Sequence, residues 1–171
     1  MGVFNTTQTI SGSYTFESTT ADNNPSDPSV GHYPGTLSAA KVTIGGTTWT
    51  LGSTTNNSIS VFNDLAVGGD VYTLRLFSMS GPQAGGLDPQ NFNLDLRDTT
   101  ASAFSSDALP LGLNLSMFQT ATWSMIFSGA YVAGNVTSMA APVPEPSTLL
   151  LLGSGLTGLG YVRRRLRARK A

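Results

Sequence analysis

The chain contains no cysteine. That excludes a disulfide scaffold and a thiol nucleophile. It does not exclude export, because disulfides are permitted rather than required outside the cytoplasm. Histidine is nearly as scarce, His32 being the only one. Any Ser-His-Asp triad would have to use it, yet it sits in the loop-like stretch Ser29-Val30-Gly31-His32-Tyr33-Pro34-Gly35. No Gly-x-Ser-x-Gly context occurs. The chain is therefore read as non-catalytic, with no catalytic residue assigned. Two oxygen-rich stretches raise the question of calcium: Asp22-Asn23-Asn24-Pro25-Ser26-Asp27, and Asn63-Asp64 with Gly68-Gly69-Asp70. Neither has the EF-hand spacing or its terminal Glu, and Asn, Asp and Gly populate turns for backbone reasons alone. No metal ligand and no cofactor is assigned.

Charge is sparse and unevenly placed. Ahead of Pro142 the cations are Lys41, Arg75 and Arg97, against nine carboxylates, which leaves that body near −6. The other six cations lie between Arg163 and Lys170. An acidic body with an isolated basic end argues against nucleic acid as a partner. The first residues do not read as an export leader. Met1-Gly2-Val3-Phe4-Asn5-Thr6-Thr7 has neither a cationic start nor an apolar core of the needed length.

What the chain does have is a C-terminus of three parts in fixed order. Pro142-Val143-Pro144-Glu145-Pro146-Ser147 comes first, then the apolar run Thr148 to Val162, then the basic tail Arg163 to Ala171. Pro144 and Pro146 fix their own φ and restrict the residues before them to extended conformations. Residues 141–146 are thus expected to be extended and unpaired, with Glu145 as the only acid in reach of a reading enzyme. As a helix, 16 residues from Ser147 rise roughly 24 Å, about one turn short of a hydrocarbon core about 30 Å thick. Arg163, Arg164 and Arg165 can close that gap by snorkelling. Gly153, Gly155, Gly158 and Gly160 make a poor helix for a soluble core and are better tolerated between membrane helices. The positive-inside rule leaves Arg163, Arg164, Arg165 and Arg167 as the cytoplasmic membrane flank and the body outside. Such a body needs an export leader, expected upstream of Met1 or already removed.

The body is dominated by period two. Ile10, Gly12, Tyr14 and Phe16 alternate with Ser11, Ser13, Thr15 and Glu17; Phe92, Leu94 and Leu96 alternate with Asn93, Asp95 and Arg97. Val42 and Ile44 precede Gly45-Gly46, and Thr47, Trp49 and Leu51 follow, which signals a hairpin. Ile59 and Val61 lead into a turn expected at Asn63-Asp64. Tyr72, Leu74 and Leu76, then Trp123, Met125 and Phe127, then Ala130, Val132 and Val136 complete the strand set, with a short helical turn between Leu115 and Thr120. Arg97 stands between Asp95 and Asp98 as a simple ion partner. The fold expected is mainly β. A single antiparallel β-sandwich over residues 1–140 is followed by a Pro-Glu-Pro linker at 141–147, a short transmembrane helix at 148–162 and a basic cytoplasmic tail at 163–171.

Pro144-Glu145-Pro146, the apolar run and the Arg-rich end together resemble the PEP-CTERM sorting signal of Gram-negative bacteria. Looser similarity to ectodomains found ahead of that signal lies in Val42-Thr43-Ile44-Gly45-Gly46, Ser58 to Asp64, and Ser105 to Leu111. The resemblance implies recognition by an exosortase, a membrane transpeptidase that cuts near the motif. It further implies an inner-membrane precursor that becomes a cell-surface or matrix protein, with exopolysaccharide and biofilm as its surroundings. Two other classes stand beside this one. A carbohydrate-binding module would use Trp49 and Trp123 as stacking platforms, although each shares a strand face with large apolar residues, which favours the core. A secreted hydrolase is disfavoured by the residue inventory.

Overall fold

The computed structural model describes residues 4–5, 7–55 and 57–140, and the backbone of Val143–Pro144. Eleven strands run in order along these residues: β1 Ile10–Phe16, β2 Val30–Pro34, β3 Leu37–Ile44, β4 Thr47–Leu51, β5 Asn57–Leu65, β6 Gly69–Leu76, β7 Met79–Ser80, β8 Pro89–Asp98, β9 Thr120–Phe127, β10 Ala130–Asn135 and β11 Val143–Pro144. A 3₁₀ turn, Leu115–Met117, precedes β9, with the Asn114 side chain accepting from Ser116 N–H. The five-stranded sheet has the order β11-β1-β3-β4-β7 and the six-stranded sheet the order β10-β9-β8-β6-β5-β2. Every pairing is antiparallel except β1 with β11, which is parallel.

The two sheets face each other across one apolar core, to which both contribute. Phe16, Leu37, Val42, Ile44 and Trp49 come from the smaller sheet, and Ile59, Val61, Tyr72, Leu74, Leu76, Leu96 and Met125 from the larger. The period-two reading gives the correct face. On β8, Leu94 and Leu96 are buried and Phe92 packs against the core, while Arg97 is exposed. A one-residue slip would have reversed both sets. Two strands turn the corner from one sheet to the other with only two residues between them. Gly35-Thr36 carries β2 into β3, and Phe77-Ser78 carries β6 into β7. Gly35 takes a φ of +69° there, which a side chain resists.

Two local expectations need correction. The turn after Ile59 and Val61 is not at Asn63-Asp64. Strand β5 runs through these residues to Leu65 as a bulge, with Asp64 at φ +55°, and the turn falls at 66–68. Asn and Asp tolerate the left-handed region whether they serve a turn or a bulge, so residue type alone does not separate the two. Nor is the stretch 141–146 wholly unpaired, because Val143 and Pro144 pair with Thr15 and Phe16. Strand β1 would otherwise leave a row of open backbone groups at the sheet margin. An extended Pro-containing segment fits such an edge, where a missing N–H costs least. Pro146 and Glu145, the helix expected at 148–162 and the flank Arg163, Arg164, Arg165 and Arg167 lie outside the described residues. Among the described residues no helix is long and apolar enough to cross a membrane.

Candidate functional site

The last described residues, Val143 and Pro144, pair along the end of β1. Phe16 is anchored in the core and is the register partner of Pro144. The following backbone is clamped in both directions. Glu17 N–H donates to the Thr36 carbonyl at 2.9 Å, and the buried Thr36 Oγ1 donates to the Glu17 carbonyl at 3.0 Å. The Glu17 carboxylate accepts from Thr19 N–H and Thr19 Oγ1, and these bonds, the backbone one first, hold its pKa below the usual carboxylate value. The end of β1 that pairs with β11 is thus held by backbone and side-chain bonds to Thr36.

The remaining polar clusters are accounted for by local structure. His32 Nδ1 lies 2.9 Å from Ser60 Oγ on the neighbouring strand β5. The nearby carboxylate, Asp22, is turned to the backbone instead. Its Oδ1 accepts from His32 N–H at 2.8 Å and from Asn24 N–H at 2.9 Å. A triad needs the acid on the second ring nitrogen, and here the acid serves the chain path. Asp27 accepts from Ser29 N–H and Oγ, the hydroxyl bond being the main cause of its lowered pKa. Asp70 and Asp98, register partners across β6 and β8, are both fully buried. Asp70 accepts from Asp64 N–H and Phe104 N–H, and Asp98 from the amides of Thr100, Ser102 and Ala103. These oxygens order turns. Among the described residues no group of three or more His, Cys, Asp or Glu side chains is placed to hold a metal ion.

Asp95 finds its cation elsewhere than expected. Its partner is Arg75 of β6, in a two-pronged contact at 2.9 and 2.7 Å, not Arg97. The pairing register puts Thr73 opposite Asp95 and Arg75 opposite Asn93, so the pair is a diagonal across two strands. Nothing local in the sequence announces that contact. Trp49 and Trp123 are both buried, as their strand faces foretold. Trp49 Nε1–H is already donated to the Pro82 carbonyl at 2.8 Å.

Residues 142–165 match the PEP-CTERM protein-sorting motif. The chain carries a PEP-CTERM sorting signal. Pro144, Glu145, Pro146, Arg163, Arg164 and Arg165 all fall within the match, and Arg167 lies just beyond it. The PEP-CTERM motif implies an exported protein processed by exosortase at the membrane. It opens on the sheet edge described above, since Val143 and Pro144 form β11. No curated protein and no solved structure gives a match to this chain.

Proposed function

We propose that this chain is a non-catalytic cell-surface or extracellular-matrix protein, exported and then sorted through its C-terminal motif. In this reading Pro144-Glu145-Pro146 is the segment an exosortase-type transpeptidase reads, and the chain is a substrate whose catalytic partner lies elsewhere. The cut falls at or near that motif, and the released body joins an exopolysaccharide-rich matrix. The observation that carries the proposal is the match at 142–165, directly after a folded β domain. The engagement of Asp22 with the backbone, away from the His32 ring, supports a non-catalytic body.

The test uses a host that bears an exosortase, with an export leader supplied and tags at both ends of the chain. The wild-type chain should lose its C-terminal tag while the N-terminal part reaches the surface or medium. Glu145→Ala keeps both prolines and removes the only local charge. It should slow processing about tenfold, equivalent to about 1.4 kcal/mol of recognition. Processing of this variant at the wild-type rate would remove Glu145 from the recognition element. Full-length protein as the only surface form of the wild type would reduce the signal to an anchor.

A further inference from the structure

The sorting motif does not begin free of the folded body. Val143 and Pro144 lie within the match at 142–165, and both are paired with β1, Val143 with Thr15 and Pro144 with Phe16. Their dock is set by the strand itself. Glu17 N–H is spent on the Thr36 carbonyl, on the side where β3 lies. Main-chain groups of successive residues in a strand turn to opposite edges, so those of Phe16 turn the other way, toward β11. Phe16 cannot drift from that position, because its side chain is buried in the core. Thr36 Oγ1 holds the next carbonyl, that of Glu17, at 3.0 Å. The dock is therefore complete in the folded sandwich and absent from an unfolded chain.

Docking and the reading of the motif compete. A peptide taken up as an extended segment is gripped through its main chain as well as its side chains. Main-chain groups turned toward β1 are not open to a second partner, and the sheet stands where one wall of an enzyme cleft would have to lie. Pro144 sharpens the competition, since it has no N–H and its main chain offers a carbonyl alone. The contact is also short. Two paired positions are easily opened, and local opening at such a margin costs far less than global unfolding. Docking therefore slows a reading enzyme according to the fraction of time the segment is free, rather than blocking it outright.

We propose that β11 is an autoinhibitory contact, a role that rests on the motif being the substrate of an exosortase-type enzyme. While Val143 and Pro144 lie on β1 the motif is withheld, and the enzyme engages it only after they part from Thr15 and Phe16. The experiment mixes the full chain in detergent with membranes of an exosortase-bearing host and follows loss of a C-terminal tag. Thr15→Cys with Val143→Cys can join the two register partners, since adjacent strands lie about 4.8 Å apart, within disulfide reach, and the chain has no other cysteine. The oxidised protein should be cut at least about tenfold more slowly than the same protein after reduction, because its free fraction is removed. A seven-residue Gly/Ser insert after Ala140 doubles the connection 136–142 between β10 and β11 and should weaken docking about threefold. That variant should be cut faster, by up to about threefold, with exchange of the Phe16 amide quickening in step while the amides of β6 stay protected. Cysteines that fail to join, equal cutting of the oxidised and reduced forms, or faster Phe16 exchange without faster cutting would each overturn the proposal and leave the processing reading standing. A wild-type chain that is never cut, its Phe16 amide protected, would bring down the processing reading and the autoinhibitory role together.

Discussion

Asp98 has no exposed surface and accepts five hydrogen bonds, from Thr100 N–H and Oγ1, Ser102 N–H and Oγ, and Ala103 N–H. The Thr100 hydroxyl leads the donors that press its pKa well below the ordinary carboxylate value, against the opposing effect of desolvation. The unfolded chain lacks these bonds, so its carboxylate takes up a proton at about pH 4 while the folded one resists. Stability from this residue is therefore complete above about pH 4 and is lost as pH falls further. Asp98→Asn should lower the melting temperature at neutral pH and make the acid limb of the stability curve shallower. Glu17 and Asp27, whose pKa values are also lowered, keep part of that limb in the variant. Urea unfolding between about pH 7 and about pH 2.5 would check this. An acid limb of unchanged slope in Asp98→Asn would assign the acid sensitivity to other groups. None of this was legible from the sequence, which shows Asp98 only as an acid near a strand end. The bonds come from a turn whose shape depends on Ala101 at φ +54°.

At the scale of the element, hairpins and faces were the most legible features. The β3–β4 hairpin was readable because Gly45 and Gly46 take φ values of +55° and +85°, and such a two-residue turn calls for that pair of conformations. Nothing lies within 4 Å of a Cβ built at Gly46, so Gly46→Ala isolates the torsional cost from any clash. It should destabilise the protein by about 1 kcal/mol, measured as a shift in denaturant midpoint at constant m-value. A loss well above that would mean the substitution disturbs more than one torsion. The strand faces of β6, β8 and β9 were legible for a similar reason, since one sheet face meets the core and alternation is forced. Contacts that depend on register were not. The Arg75–Asp95 diagonal and the pairing of β11 with β1 join residues far apart in sequence, and neither leaves a local pattern.

For the molecule as a whole, the sorting signal was legible because its three parts are contiguous, while any role of the body was not, because its polar residues are spent on turns and cross-strand bonds. Among the described residues the core cluster is already assembled from both sheets and reaches as far as Met139. Deleting residues 147–171 should then leave a body that is soluble and unfolds in one cooperative transition. Loss of cooperativity in that truncation would show that the C-terminal run completes the core. The edge pairing of β11 has a mechanical meaning. Two paired positions join it to β1, against seven between β1 and β3. A pull applied between the ends of the chain loads the shorter pair first, in shear, because its strands are parallel. Single-molecule stretching should record a small early lengthening ahead of the main rupture, and simultaneous rupture of both would contradict it. A body tethered by its C-terminus thus meets tension through a fuse, which parts at the rim of the sheet while the layers behind it stay unloaded.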